Sequence, residues 1–463
     1  MTSWFDIHSA IALLGLVLYA LDSHTRRKRR HPSAAIAWFI SLLLLPYVAF
    51  PIYLFFGRRK VAVAEHLRAK RKYARDSQQK NQNVSSDEKL AKALWLGPSV
   101  IVNNLIIHQD GAQALQALEA CINKAQKTLD IGTFIFGRDA PGYRITQLLV
   151  ECAQRGVNVR LLIDGFGYFL EGLGSFKLLK QAGVEVAFFA PPFQFSLLGK
   201  TNMRNHRKLV ISDGLHLWSG GRNLTHRYFQ DTATSKKKQW VDLSFHLSGD
   251  LAQQANSVFE LDWAFATQKP VSINNVKAKY PAASKTLGAR LVPSGPDRSE
   301  DTIYTMIISG CYTAQDRILL VTPYFVPDPT LLTALELACH RGVRVDLLIP
   351  EASNHLLTDI ARRFALRDLA QAGANIWLFP GMLHAKAFLF DATLALVGSA
   401  NLDERSLFLN YELMFAFYEP QVIQGFESWI LRQQHLASPY KPRRAGVWRE
   451  LAEGLVRWVA FQL

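Results

Sequence analysis

The sequence NHRKLVISD at residues 205–213 combines a histidine, a lysine and an aspartate in the pattern H-x-K-x4-D. The same pattern recurs at residues 383–391 as LHAKAFLFD. Alternation along an extended strand places the histidine and the lysine on the same face, where an imidazole and a cation can contact one anionic group. The candidate catalytic residues are therefore His206, Lys208 and Asp213 in the first copy and His384, Lys386 and Asp391 in the second.

A second short pattern follows each copy of the motif at the same distance. The first half contains GGRN at residues 220–223, and the second half contains GSAN at residues 398–401. The leading glycine allows another backbone segment to approach closely, and the amides of Asn223 and Asn401 can donate hydrogen bonds to phosphate oxygens. One H-x-K pattern on a strand is uninformative, but two complete copies with equal spacing indicate a repeated catalytic unit.

Longer repeats surround both motifs. The segment AQRGVNVRLLID at residues 153–164 recurs as CHRGVRVDLLIP at residues 339–350, and LKQAGVEVAFFA at 179–190 recurs as LAQAGANIWLFP at 369–380. Each segment is typical of a helix end, a glycine and an apolar strand. Strands this apolar indicate sheets that are covered on both faces, so we predict two α/β domains.

The two predicted domains span residues 93–285 and 286–440, and a region of different composition precedes them. Residues 4–21 and 33–56 are predominantly apolar, and the second run is long enough to cross about 30 Å of hydrocarbon. We therefore predict a transmembrane helical hairpin over residues 1–57. A cleaved signal peptide is the alternative interpretation of the first apolar run.

The 463-residue chain carries a formal charge of +15, which favours a polyanionic partner, either nucleic acid or an anionic lipid surface. Basic residues fill positions 26–30, and a larger basic cluster begins the linker that we predict at residues 58–92. The larger cluster favours a cytoplasmic catalytic body beside anionic lipid. The chain is predicted to end in an amphipathic helix at residues 441–463, which either docks on the protein or lies in the membrane interface.

The paired motifs resemble those of the phospholipase D superfamily. The segments TPYFVPD at residues 322–328, GSANLDERS at 398–406 and NYE at 410–412 are similar to those of bacterial cardiolipin synthases. This resemblance implies two α/β sandwich domains related by a pseudo-twofold axis, in a multi-pass protein of the bacterial inner membrane. Ala387 departs from the synthase pattern, which more often has threonine after the motif lysine.

The resemblance also implies a mechanism. His206 would form a covalent phosphatidyl-histidine, and His384 would protonate the leaving alcohol and later deprotonate the acceptor. The motif lysines and the two asparagines would surround the phosphate oxygens, so we expect no metal ion and no other cofactor.

Two downstream carboxylates are expected to orient the histidines by holding a proton on imidazole Nδ1. Matched motif by motif, they are Asp242 in QWVDLSF and Glu412 in LNYELM. In the family the motif aspartate has a structural role, so we expect that Asp213 and Asp391 do not contact substrate.

Three functions are compatible with these patterns. The first is a phosphatidyltransferase that makes cardiolipin and glycerol from two phosphatidylglycerol molecules. The second is a hydrolase of the same superfamily that acts on lipid or, less in keeping with a membrane hairpin, on nucleic acid. The third is a non-catalytic membrane scaffold, which the two intact motifs disfavour. The expected partner is thus an anionic phospholipid in a membrane, and no nucleic acid.

Overall fold

The structure is a computed structural model of the chain. It describes residues 4–25, 32–56, 86–170, 176–192, 202–229, 240–269, 288–298, 300–442, 446 and 453. The basic loop at 26–30 lies outside these residues, as do most of the linker predicted at 58–92 and of the helix predicted at 441–463. Glu453 in that last segment is buried, and its carboxylate lies 2.7 Å from the guanidinium of Arg367.

Three helices form the N-terminal region: α1 (Trp4–Thr25), α2 (Pro32–Leu44) and α3 (Pro46–Phe56). The apolar run at 33–56 is therefore not one helix. It is interrupted at Leu45, because Pro46 has no N–H to continue the helical hydrogen bonding. Among the helices of the described residues, none combines the length and the hydropathy that a membrane span requires.

The first α/β domain follows a short helix that packs near the second domain. Its elements in chain order, starting from that helix, are α4 (Ser86–Ala93), β1 (Asn103–Ile107), α5 (Gly111–Lys124), β2 (Thr128–Thr133), α6 (Ala140–Gln154), β3 (Asn158–Asp164), α7 (Gly165–Leu170), α8 (Lys177–Gln181), β4 (Glu185–Phe189), β5 (Leu209–Ser212), β6 (His216–Gly220), β7 (Trp240–Val241), β8 (Ser244–Ser248) and α9 (Asp250–Thr267).

The second domain repeats this succession. Its elements are β9 (Ala289–Ser294), α10 (Thr302–Thr313), β10 (Arg317–Val321), β11 (Phe325–Val326), α11 (Pro329–His340), β12 (Arg344–Pro350), α12 (Leu356–Gln371), β13 (Asn375–Phe379), β14 (Met382–Leu383), β15 (Ala387–Phe390), β16 (Leu394–Gly398), β17 (Leu402–Asp403), α13 (Glu404–Phe408), β18 (Glu412–Phe417), α14 (Pro420–Gln434) and β19 (Ser438–Pro439).

The two main sheets have the same strand order. The first sheet has seven strands in the order β1-β8-β6-β5-β2-β3-β4, and the second has eight in the order β9-β18-β16-β15-β10-β12-β13-β19. In each sheet three strands joined by helices are parallel, and the strands that carry the motifs pair antiparallel to them. The internal sequence repeat therefore corresponds to a structural repeat of two α/β domains, as predicted.

One apolar core joins the two sheets, and two short strand pairings join the domains at their edges. The Phe245 ring of the first domain lies 5.0 Å from the Phe415 ring of the second, edge to face. β7 of the first domain pairs in parallel with β14 of the second. A parallel bridge pairs Asn205 with Tyr411 in the corresponding place. Each bridge lies directly before a motif histidine, so the domain contact also positions the motifs.

The motif aspartates lie at the opposite end of their strands from the histidines. Asp213 adopts φ 53°, and its carboxylate accepts the backbone N–H groups of residues 126–128 at 2.7 to 3.0 Å. Asp391 adopts φ 49° and accepts those of residues 315–317 at 2.8 to 2.9 Å. Aspartate tolerates the left-handed region better than most residues. Both carboxylates therefore fix the turn before the first parallel strand of their domain, and that they do not contact substrate stays a prediction.

We predict that Asp391→Ala destabilises the fold by about 2 kcal/mol, because it removes one acceptor from three backbone donors and places alanine at positive φ. Thermal or denaturant unfolding measures the loss. Asp391→Asn, which keeps one oxygen, should lose less. Asp316→Ala is the control, since it removes an exposed carboxylate from the same turn. Equal stability of Asp391→Ala and Asp316→Ala would contradict this role.

Candidate active site

Both motifs begin at the same edge of their sheets. Leu209 at the start of β5 lies opposite Gly132 near the end of β2. Ala387 at the start of β15 lies opposite Val321 at the end of β10. The histidines and lysines are therefore at the carboxyl ends of the central parallel strands, where open α/β sheets bind ligands.

His206 is held by a carboxylate of the other domain. Its Nδ1 lies 3.0 and 3.1 Å from the two carboxylate oxygens of Glu412. Glu412 is completely buried, and it also accepts hydrogen bonds from Ser399 Oγ at 2.5 Å and Asn410 Nδ2 at 3.3 Å. Burial alone would raise the pKa of Glu412, but the facing His206 and nearby Lys208 hold that pKa below its usual value.

His384 is held in the same way from the first domain. Its Nδ1 lies 2.6 Å from Oδ2 of Asp242, which is completely buried. Burial would raise the pKa of Asp242, but the hydrogen bond from His384 and the charge of Lys386 hold that pKa below its usual value. Because a carboxylate only accepts hydrogen bonds, both imidazoles carry their proton on Nδ1 and present Nε2 as a lone pair.

Burial also keeps the histidines neutral. Burial and the charge of Lys386 lower the pKa of His384 to about 3, against the effect of Asp242. Burial lowers the pKa of His206 as well, although Glu412 opposes it. Neutral Nε2 atoms are nucleophilic, so in the free protein either imidazole can attack an electrophilic phosphorus.

The two motif lysines are buried cations beside the imidazoles. Lys208 Nζ donates to the carbonyl oxygen of His206 at 2.6 Å. Lys386 Nζ donates to the carbonyl oxygen of His384 and lies 2.7 Å from Nδ1 and 3.1 Å from Nε2 of that ring. Burial lowers the pKa of Lys208 to about 7 and that of Lys386 to about 8. An anion bound between them would restore favourable surroundings for both charges.

The predicted phosphate-binding asparagines are near the motifs but already have contacts. Asn223 Nδ2 donates to the hydroxyl of Tyr228 at 2.8 Å. The amide of Asn401 hydrogen-bonds the side chain of Asp403, and within the described part of the chain its Oδ1 has no hydrogen-bond partner. A primary amide has two N–H donors, so these contacts leave a donor for a phosphate oxygen. No group of three His, Cys, Asp or Glu side chains within the described ranges is arranged to hold a metal ion. That the reaction proceeds without a metal ion stays a prediction.

The second position of the G-[GS]-x-N pattern is glycine or serine according to the length of the carboxylate side chain beside it. A Cβ atom on Gly221 would lie 2.2 Å from Oδ1 of Asp242, so only glycine fits beside the shorter aspartate. In the second half Ser399 takes this position and donates its hydroxyl to the longer Glu412. In the first half the Asp242 carboxylate itself fills the space beside Gly221. In the second half the Ser399 hydroxyl fills that space and contacts the Glu412 carboxylate.

Sequence reasoning missed that the carboxylates are exchanged between the domains. It also missed Arg207, the residue between the motif histidine and lysine. Arg207 is buried, pairs with Asp262 at 2.5 Å and donates through Nε to the carbonyl oxygen of Glu412 at 3.1 Å. It therefore anchors the backbone of Glu412 to the first domain. Comparison of the two motifs could have identified Arg207, because the first motif has this charged residue where the second has Ala385.

Aromatic rings that the sequence analysis did not single out enclose both imidazoles. The rings of Tyr228 and Trp240 lie 5.1 and 5.2 Å from the His384 ring. The Phe134 ring lies 5.3 Å from the His206 ring. These rings limit water around the histidines and maintain the low polarity that lowers both imidazole pKa values.

The family model described as cardiolipin synthase, PLD-like domain, matches residues 118–263 and 307–433, and the model described as phospholipase D-nuclease N-terminal matches residues 10–58. The cardiolipin synthase of Oceanobacillus iheyensis is 33% identical over 421 residues, which cover 87% of each chain. The major cardiolipin synthase ClsA of Bacillus subtilis is 31% identical over 414 residues, which cover 85% of each.

Among solved structures, the phosphatidylserine synthase of Haemophilus influenzae has the same fold, with a TM-score of 0.62 and 14% identity. The match covers 82% of this chain and all of that one. The repeated α/β domains, the exchanged histidine–carboxylate pairs and the matched family model lead to one assignment. The chain belongs to the cardiolipin synthase family of phospholipase D-like proteins.

Proposed function

We propose that the protein is a phosphatidyltransferase that joins two phosphatidylglycerol molecules into cardiolipin and releases glycerol. One observation carries the proposal: two histidines are each held through Nδ1 by a buried carboxylate of the other domain and accompanied by a buried lysine. This arrangement provides a nucleophile, a proton carrier and cationic cover for one phosphodiester. The similarity to cardiolipin synthases over most of the chain supplies the choice of reaction.

The first half-reaction transfers the phosphatidyl group to the protein. Nε2 of His206 attacks the phosphorus, the bond from phosphorus to the glycerol oxygen breaks, and His384 gives its Nε2 proton to that oxygen. The neutral His384 of the free protein gains this proton when the anionic substrate arrives. The phosphodiester offsets the charge of Lys386, which otherwise lowers the pKa of His384.

The second half-reaction transfers the phosphatidyl group to a second lipid. His384 removes the proton of a phosphatidylglycerol hydroxyl, the resulting oxygen attacks phosphorus, and the bond from phosphorus to His206 breaks. Lys208 and Lys386 stabilise the charge on the phosphate oxygens in both steps, and Asn223 and Asn401 donate beside them. Water in place of the lipid hydroxyl would give hydrolysis.

The edge of the sheets that carries the site also exposes apolar side chains. Phe169 and Leu170 follow β3 and are 50% and 57% exposed, and Leu356 and Leu357 follow β12 and are 72% and 50% exposed. Singly exposed apolar residues are ordinary, but these occupy corresponding places in the two domains. We propose that this edge faces the lipid surface.

The N-terminal region extends this proposal to the inner membrane of a bacterial cell. Its apolar helices α1 to α3 together form a membrane anchor, and the basic residues after them place the catalytic domains beside anionic headgroups on the cytoplasmic face.

We predict that the purified full chain converts phosphatidylglycerol in mixed micelles into cardiolipin and glycerol in equal amounts. Mass analysis of the lipids and an assay of free glycerol measure both products. EDTA should leave the rate unchanged, because lysines rather than a metal ion cover the phosphate. Phosphatidic acid in place of cardiolipin would identify a hydrolase, and loss of activity in EDTA with rescue by magnesium would contradict the mechanism.

A second prediction separates the roles of the histidines. Glycerol leaves as an alkoxide of pKa about 14, whereas p-nitrophenolate has pKa about 7 and needs almost no proton, so the general acid contributes little to its departure. His384→Ala should therefore fail on phosphatidylglycerol, release p-nitrophenol from phosphatidyl-p-nitrophenol, and accumulate the phosphatidyl-protein. His206→Ala should release nothing from either substrate. Release by His206→Ala, with the adduct on His384, would reverse the assignment.

A third prediction tests the lipid-facing edge. In vesicles of phosphatidylglycerol, the double variant Leu356→Asp, Leu357→Asp should lose activity several-fold relative to its activity in micelles, because two charges replace apolar contact with the bilayer. Leu337→Asp is the matched control, since Leu337 is an exposed leucine on α11, a helix that does not form this edge. An equal ratio of activity in vesicles to activity in micelles for both variants would show that the bilayer contacts another surface of the protein.

A further inference from the structure

Two arginines from different domains flank the active site. Arg204 precedes His206 by two residues, and Arg405 belongs to α13 of the second domain. Arg405 Nη2 donates to the carbonyl oxygen of Asn202 at 3.4 Å, two residues before Arg204, so Arg405 lies beside the segment that carries Arg204. The carbonyl oxygen of Arg204 accepts the N–H of Tyr411 at 2.8 Å, directly before Glu412, the carboxylate that holds His206. The pair is therefore next to the His206 side of the catalytic group.

Arg204 is buried without the acceptors that a guanidinium requires. Its side chain is 4% exposed, and among the described residues neither Nε nor Nη2 has a hydrogen-bond partner. Its Nη1 reaches Oδ1 of Asp164 only at 3.4 Å. That carboxylate already accepts the backbone N–H groups of Phe166, at 2.8 Å, and Asn205, at 2.8 Å. A buried guanidinium with two unused donors is unfavourable unless an anion completes it.

The repeated fold provides an internal comparison for this arginine. The segment MRNHRK at residues 203–208 corresponds to GMLHAK at residues 381–386, so Met382 occupies the place of Arg204. Met382 is also buried. The fold therefore does not require a cation at this position. Arg405 corresponds in the same way to Arg227, which is exposed. Of these two corresponding pairs of positions, one thus has a buried Arg204 with a half-buried Arg405, and the other has Met382 with an exposed Arg227.

We propose that Arg204 and Arg405 bind the phosphodiester group of the acceptor lipid, the phosphate whose bonds do not change in the reaction. Guanidinium groups match phosphate oxygens with paired N–H donors, and Nε and Nη2 of one arginine form such a pair. The acceptor phosphatidylglycerol has its phosphate three carbons from the hydroxyl that attacks. An anion site beside the catalytic group therefore selects an alcohol that carries a phosphate over free glycerol and over water. This inference rests on the proposed transferase function.

The test compares two acceptors for the same phosphatidyl donor. The full chain in mixed micelles of phosphatidylglycerol with radiolabelled glycerol forms cardiolipin by transfer to a lipid, and labelled phosphatidylglycerol by transfer to glycerol. Arg204→Met, the residue that the second half uses, should lower the ratio of cardiolipin to labelled phosphatidylglycerol by about tenfold or more, because charge-assisted hydrogen bonds to the acceptor are lost. Arg204→Lys keeps the charge without the paired donors, so its product ratio should lie between those of Arg204→Met and the unmodified chain.

Arg362→Met is the matched control. Arg362 is also buried, but it donates to the carbonyl oxygens of Pro350 and Glu351 at 2.9 and 2.8 Å and pairs with Asp359. Its removal should lower the melting temperature and leave the product ratio unchanged. Arg204→Met should lower the melting temperature less than Arg362→Met does, because Nη1, 3.4 Å from Asp164, is the one Arg204 nitrogen that has an acceptor among the described residues.

The outcomes separate the two proposals. If the unmodified chain forms neither product, the transferase function fails. If it forms both and Arg204→Met lowers both equally, the acceptor site is wrong while the function stands. If inorganic phosphate raises the ratio in the unmodified chain but not in Arg204→Met, the arginines bind a free phosphate and the acceptor assignment is overturned.

Discussion

The exchange of carboxylates between the two domains is the interaction on which the rest of the site depends. Glu412 holds His206 at 3.0 Å and Asp242 holds His384 at 2.6 Å, and each pair joins one domain to the other. A separated domain would contain a buried carboxylate without its imidazole, and breaking a buried ionic pair typically costs about 3 to 5 kcal/mol. The same contacts therefore orient both Nε2 atoms and bind the domains together.

Backbone hydrogen bonds set the register of this exchange. The N–H of His384 donates to the carbonyl of Val241 at 2.7 Å, directly before Asp242. The N–H of His206 donates to the carbonyl of Tyr411 at 2.9 Å, directly before Glu412. A shift of one residue in either short pairing would turn the carboxylate to the other face of its strand. Precise orientation of the imidazoles thus follows from main-chain geometry and not from side-chain packing alone.

The sequence predicted the repeated domains and the chemistry of the motifs, but not how the motifs are paired. Apolar strands after each Arg-Gly turn specify the parallel part of both sheets, because only buried strands tolerate that composition. Motif matching identified Asp242 and Glu412 but not which histidine each one holds, because the docking of the domains decides that pairing. The interruption at Leu45 was readable from Pro46. The hydrogen bond from Asn223 to the Tyr228 hydroxyl was not readable from the sequence, because a 3₁₀ turn brings the two residues together.

Departures from the twofold symmetry give the two motifs different surroundings. Asp242, beside Gly221, lies 2.6 Å from its histidine, whereas Glu412 lies 3.0 Å from its own and accepts a hydrogen bond from the Ser399 hydroxyl. After burial, the charge of Lys386 has the largest effect on the pKa of His384, and it lowers that pKa. At His206 the opposing effect of Glu412, which raises the pKa, is larger than the lowering effect of Lys208. In the proposed reaction, the histidine that accepts and releases a proton is His384, whose pKa is lowered by Lys386 and would rise when an anion offsets that charge. A symmetric fold thereby supplies two neutral imidazoles, and their unequal neighbours are the basis on which we propose different tasks for them.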